Sequence, residues 1–161
     1  MLIYALIPAR SDSKRIKNKN ILKLNNKNLI QISVEQALKT REINKVFVST
    51  DSKKYQKIGI AAGALAPYLR SKKISRDYST DLECFQDFLY QLKKKKITIP
   101  DIIVHLRATY PIREMGLISK CIRKFLKLKN KADSLRTIFR LKENIQKMWL
   151  LDKKNMIYNP I

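Results

Sequence analysis

Residues 2–7, Leu-Ile-Tyr-Ala-Leu-Ile, form an unbroken apolar run that stops at Pro8 and passes straight into a small, polar, strongly basic segment. A run this short and apolar at every position reads as a strand buried on both faces, the condition of a strand inside a parallel sheet. Such a strand needs helices above and below it and crossover connections to its neighbours. The residues that follow it then sit at its carboxyl end, where open α/β sheets bind ligands. Arg10, Lys14, Arg15, Lys17 and Lys19 crowd that segment, with Ser11 and Ser13 between them. Small residues let backbone N–H groups approach an anion, and the cations neutralise it. The segment therefore reads either as a polyphosphate site or as a solvated basic loop. It is not a P-loop, because Gly-x-x-x-x-Gly-Lys-Ser/Thr is missing.

The rest of the chain alternates in the way the first strand requires. Asn25-Asn26-Lys27-Asn28 is a turn cluster, and Leu29, Ile32, Ser33, Gln36 and Ala37 follow at helical spacing, ending near residues 39–41. Val46-Phe47-Val48 is a short buried strand that ends in Ser49-Thr50-Asp51-Ser52, residues suited to capping a helix. That helix, over about 53–62, is expected to bury Tyr55, Ile58 and Ile60, with Gly63 just past its end. Residues 66–69 read as a short strand and residues 70–78 as a charged loop. Thr80 or Ser79 caps the next helix, with Glu83 completing a capping box and Leu82, Phe85, Phe88, Leu89 and Leu92 facing inward. Ile102-Ile103-Val104 is another buried strand. A helix over about 115–128 follows, with Ile118, Cys121, Ile122, Phe125 and Leu126 inward. Residues 134–139 read as a further strand, and residues 148–151 and 156–158 as a hairpin.

Strands alternating with helices predict a Rossmann-like α/β fold over residues 1–161, a single domain: a parallel sheet with helices on both faces, plus a C-terminal β-hairpin. Three strand tips, at residues 10–20, 49–52 and 107–113, then meet along one edge. The net charge of +22 invites a nucleic-acid reading. The charge is spread along the chain, however, and only residues 93–96 form a lysine run, at a helix end where cations suit the dipole. A nucleic-acid module would concentrate its cations and interleave aromatics, so no nucleic acid is expected. Cys84 and Cys121, far apart and each in a helical pattern, read as buried thiols. No apolar stretch approaches the roughly 20 residues of a membrane helix, and the start lacks a secretory pattern, so no membrane partner and a cytoplasmic location are expected. His105, the one histidine, lies in a strand and reads as a packing residue; Trp149 reads as packing or an intermolecular contact.

Four stretches also carry a family resemblance. Ile7-Pro8-Ala9-Arg10-Ser11-x-Ser13-Lys14-Arg15-Ile16-x-x-Lys19-Asn20 resembles the amino-terminal signature of the acylneuraminate cytidylyltransferases, the CMP-sialic acid synthetases. Ser49-Thr50-Asp51, then Ser75-Arg76-Asp77-Tyr78-Ser79-Thr80-Asp81, then Leu106-Arg107-Ala108-Thr109-Tyr110-Pro111-Ile112-Arg113 follow in the family's order. The resemblance implies a nucleotide-diphospho-sugar transferase type of fold. It implies a reaction in which a sialic-acid-like nonulosonic acid attacks the α-phosphate of CTP, with Mg²⁺ assisting, in a homodimer whose dimerisation region begins at about 134–161. Carried across, Arg10 and Lys19 are catalytic and hold the triphosphate. Ala9, Ser13 and Asn20 line the nucleotide, and Arg70, Ser79 and Asp81 lie near cytosine and ribose. Arg107 replaces a glutamine that contacts the sugar and is expected to pair with the sugar carboxylate. Asp12 and Asn18 stand where relatives have small residues or glycine. Asp51 or Asp12 is a candidate metal ligand, since the family's metal-binding aspartates would fall beyond Ile161. A chain ending there is expected to bind CTP and to turn over slowly or not at all, as a truncated nucleotide-binding homologue would. The related ketodeoxyoctonate enzymes carry Lys-Pro where this chain has Lys19-Asn20, which argues against that assignment.

Overall fold

The structure is a computed structural model that describes residues 1–128, 131–138, 149–152 and 157–160. In chain order the described elements are β1 (Ile3–Pro8), β2 (Lys23–Leu24), β3 (Lys27–Asn28), α1 (Leu29–Leu38), β4 (Lys45–Ser49), α2 (Lys53–Ala61), α3 (Asp81–Lys94), β5 (Ile102–His105), α4 (Leu117–Lys127), β6 (Trp149–Asp152) and β7 (Ile157–Pro160). Strand β1 is the middle of a three-stranded parallel sheet of order β4-β1-β5. Its residues 3–7 are all buried, as the apolar run demands.

Alternation of side chains along β1 separates two cores. Ala5 and Ile7 point to one face and pack with Ile30 and Val34 of α1, Tyr55 of α2, Val46, Val48 and Leu106. Tyr4 and Leu6 point to the other and pack with Phe47 and with Cys84, Phe88 and Leu92 of α3. Helices therefore cover both faces, which is the Rossmann-like arrangement expected. The close approach of α2 to β4 depends on Gly59, where a Cβ would come within 2.9 Å of Val48 Cγ2.

Local chemistry sets the boundaries. Thr80 and Glu83 close the expected capping box on α3, and Asn28 with Gln31 closes another on α1. Ser52 caps α2, and Gly63 takes φ +98° just beyond its end. Asn25 and Asn26, at φ 48° and 63°, turn β2 into β3.

Several expectations are corrected. Residues 66–69 form no strand; Leu65 makes a single bridge to Phe47 and stays exposed. Residues 134–138 carry no strand, and Phe139 lies outside the described residues. Helix α1 is rotated from its expected face, burying Ile30 and Val34 beside Ser33 and Ala37, while Leu29 and Ile32 are half-buried. Ile60 and Leu82 are exposed. On α3 the buried stripe is Cys84, Phe88 and Leu92, an i, i+4, i+8 row that leaves Leu82 off the sheet. Cys84 is buried and Cys121 half-buried, both free thiols. Strands β6 and β7 pair antiparallel, Trp149 opposite Pro160; residues 153–156, which would form the hairpin's turn, lie outside the described residues, as does Met148. No helix among the described residues is long and apolar enough to cross a membrane.

Candidate functional site

The parallel sheet places the tips of β1 and β5 side by side, with Leu6 opposite His105. Over these tips lies a cleft whose other walls are residues 70–76 and the first turn of α3. Arg10, Ser13, Lys19 and Asn20 enter it from the β1 tip, Arg70, Arg76 and Ser79 from the intervening loop, Asp81 and Cys84 from α3, and His105, Arg107 and Thr109 from the β5 tip. Five cationic side chains thus face one carboxylate, Asp81. An excess of cations at the carboxyl edge of a parallel sheet suits a multiply charged anion.

The loop after β1 is fixed by neutral and acidic groups, which leaves its cations outward. Asn20 is buried and its Nδ2 donates to the Arg10 carbonyl at 2.9 Å, closing the loop on itself. Ser11 donates through its backbone N–H and its hydroxyl to the two oxygens of Asp51, at 2.8 and 2.9 Å. Asn18 takes the left-handed conformation, φ 56°, and its side-chain Oδ1 accepts from the Tyr55 hydroxyl at 3.2 Å. Asparagine tolerates that conformation better than other non-glycine residues. Arg10 reaches Asp77 at 2.5 Å, and Lys14 reaches the other oxygen at 3.1 Å. The Lys14 ammonium, with the Arg10 guanidinium, holds the Asp77 carboxyl below its usual range.

Arg70 has a different character. Its residue is only 6% exposed, its Nε donates to Ser75 Oγ at 3.0 Å, and its Nη1 lies 2.9 Å from Cys84 Sγ. Its backbone N–H donates to the Thr50 carbonyl at 2.8 Å, which ties the loop to the tip of β4. No carboxylate among the described residues pairs with this buried cation. A buried, uncompensated charge is costly unless a ligand completes its bonding.

At the β5 tip, the Arg107 guanidinium pairs with Asp81 across the cleft. The loop is held from behind by Arg113. Its Nη2 donates to the Arg107 carbonyl at 2.8 Å and its Nη1 to Gln36 Oε1 at 2.5 Å, while Gln36 Nε2 donates to the Pro111 carbonyl at 2.8 Å. Burial moves Arg113 below its ordinary value. His105 stands on the cleft floor edge-on to Phe85, their ring centroids 5.2 Å apart. Burial lowers its pKa, Asp81 opposes that, and Arg107, Arg136 and Arg113 add to it.

The structure therefore brings together Arg10, Ser13, Lys19, Asn20, Arg70, Ser79, Asp81 and Arg107. It does not bring Ala9, Asp51 or Asp12 into the cleft. Ala9 is buried beneath, its N–H donating to the Ser49 carbonyl at 2.9 Å. Asp51 is engaged by Ser11, so the third strand tip acts by fastening the first loop, and the Ser11 N–H is turned from any anion. Asp12 is exposed. Among the described residues no group of three or more His, Cys, Asp or Glu could hold a metal ion. Arg76, His105 and Thr109 were not singled out from the sequence as site residues. Arg76 lies within the recognised Ser75–Asp81 stretch, Thr109 within Leu106–Arg113, and His105 two positions before Arg107 at the strand tip, so membership of or adjacency to the motifs was the available signal.

Comparison with known proteins gives four findings. The family described as Cytidylyltransferase matches residues 4–153. A pseudaminic acid cytidylyltransferase of Campylobacter jejuni is 31% identical over 153 residues, covering 95% of this chain and 65% of that protein. A CMP-N,N'-diacetyllegionaminic acid synthase of Legionella pneumophila is 33% identical, covering 76% of this chain and 52% of its own length. The chain thus spans less than two thirds of these curated relatives. Among solved structures, a CMP:2-keto-3-deoxy-manno-octonic acid synthetase complexed with CTP superposes with a TM-score of 0.65 at 20% identity, over 79% of this chain and 48% of that one, a likeness of fold.

Proposed function

The chain belongs to the cytidylyltransferase family, and on that premise we propose that it transfers a cytidylyl group from CTP to a nonulosonic acid, releasing pyrophosphate. The observation that carries the reading is the cleft at the β1 and β5 tips, where five cations converge and the buried Arg70 has no carboxylate among the described residues. Transfer at phosphorus needs positioning and charge neutralisation more than covalent help. Arg10 and Lys19 neutralise the triphosphate and the departing pyrophosphate; Ser13 and Asn20 line the nucleotide. Arg70, Ser79 and Asp81 hold its base and ribose. Arg107, at the opposite wall, takes the sugar carboxylate as a bidentate pair. Relatives named for pseudaminic, legionaminic and acylneuraminic acids support an acid sugar as the acceptor.

The same reading takes Mg²⁺ as the accompanying cation. No step is assigned to it. The second reading is nucleotide binding without turnover. A homodimer belongs to the first reading, and sedimentation at high concentration tests it: a clean monomer contradicts it. The central assay is pyrophosphate release from CTP with pseudaminic, diacetyllegionaminic and N-acetylneuraminic acids, with and without Mg²⁺. Release dependent on one of the sugars supports transfer; CTP binding without release supports the second reading.

A further inference from the structure

The transfer proposed above has a proton to dispose of, and the cleft offers few places for it. The attacking sugar hydroxyl loses its proton as its oxygen bonds to the α-phosphorus. The bond from that phosphorus to the pyrophosphate bridging oxygen breaks, and pyrophosphate leaves with the electron pair. Among the described residues lining the cleft, Asp81, Cys84 and His105 are the side chains able to accept a proton at neutral pH. Asp81 is already engaged in an ion pair with Arg107. Cys84 is buried, its sulfur against Arg70 and Ser49. His105 remains.

Its position suits the task. The imidazole stands opposite Leu6 in the sheet register, on the floor between the β1 tip, with its phosphate-directed cations, and Arg107 two residues along the chain. The sugar carboxylate at Arg107 and the triphosphate at Arg10 and Lys19 would bracket it. Resting on the transfer reading, we infer that His105 is the catalytic residue that accepts the proton of the sugar hydroxyl during attack on the α-phosphate.

The surroundings keep it ready. Phe85 of α3 packs against the ring. Burial is the largest influence, and the Arg107, Arg136 and Arg113 charges act in the same direction while Asp81 opposes them. The outcome is an imidazole held below its ordinary value, neutral and able to accept at physiological pH.

Because His105 is the chain's one histidine, its ring signals can be followed by NMR without assignment. The experiment pairs that titration with pH profiles of pyrophosphate release for wild type, His105→Asn and His105→Gln, using CTP and each of the three acid sugars. The expected result is a loss in kcat of about 10²–10⁴-fold in both variants, with the KM for CTP changed less than about twofold. The acidic limb of the wild-type profile disappears in the variants, and it coincides with the pKa read from the ring. Adding the acid sugar to the CTP complex should also move the imidazole signals. CTP-induced thermal stabilisation of the variants shows that they fold. Release by wild type and variants alike, or an acidic limb that survives in the variants, overturns the proposal and leaves the transfer reading standing. No release by wild type with any sugar overturns the transfer reading and the proposal with it.

Discussion

The two loops that meet over the sheet edge are built on opposite electrostatic plans. After β1, the fastening groups are Asn20, Asn18 and the Asp51 carboxylate, and the cations are left for the cleft. Asp77 is shared between Arg10 and Lys14, so cations outnumber the carboxylate that faces them. After β5, the fastening group is itself a cation, Arg113, and the cleft-facing cation Arg107 is matched one to one with Asp81. A surplus suits a ligand with several negative charges. A matched pair suits a ligand with one, which must displace the resident carboxylate to bind. Under the proposed function, the triphosphate belongs at the first loop and the acid sugar at the second.

Substitution tests that division. Arg70→Ala should have the largest effect on CTP binding, about 10–150-fold, from the roughly 1.5–3 kcal/mol carried by a charged hydrogen bond. Arg10→Ala and Lys19→Ala should each weaken CTP by on the order of 1–3 kcal/mol by calorimetry, with far-UV spectra unchanged. Arg107→Ala should leave CTP affinity within about twofold while raising the KM for the sugar. Equal effects of Arg10 and Arg107 substitutions on CTP would erase the distinction between the loops.

A smaller effect is expected from Arg113→Lys. Lysine keeps the charge but loses the planar fork that joins the Arg107 carbonyl to Gln36. The KM for the sugar should rise several-fold with CTP affinity unchanged; a change in CTP affinity would show that the β5 loop also supports the nucleotide.

These contacts also explain how far the sequence could be read. The apolar run at β1, the Thr80–Glu83 box and the small polar strand tips are local signals, and each yielded its element. The convergence of Arg10, Lys19, Arg70, Asp81 and Arg107 followed from parallel topology and the family motifs together. What escaped depends on long-range partners. The role of Arg113 needs Gln36, 77 positions away, and that of Asp51 needs Ser11, 40 positions away. The face of α1 was misjudged because Leu29 and Ile32 are as apolar as Ile30 and Val34, and only the sheet decides between them.

The slightest predicted effect is one of pH on stability, and it belongs to the β5 tip. The folded-state pKa of His105 is lowered, so the unfolded chain binds its proton more readily. The contribution is present above the ordinary histidine value of about 6.5 and is lost as pH falls through the lower folded value. Melting curves from about pH 8 to about pH 5 should show a slope that is reduced in His105→Asn. An identical slope would show that the ring is as solvated folded as unfolded.

The cleft at the β1 and β5 tips is proposed as a CTP site. Thermal denaturation of the wild-type chain with CTP, UTP, ATP and GTP at equal concentration tests it most directly. Binding to the folded state alone raises Tm in proportion to the logarithm of ligand concentration over Kd. The account predicts the largest shift with CTP, greatly reduced in Arg70→Ala. Equal shifts with all four nucleotides, undiminished in Arg70→Ala, would contradict it.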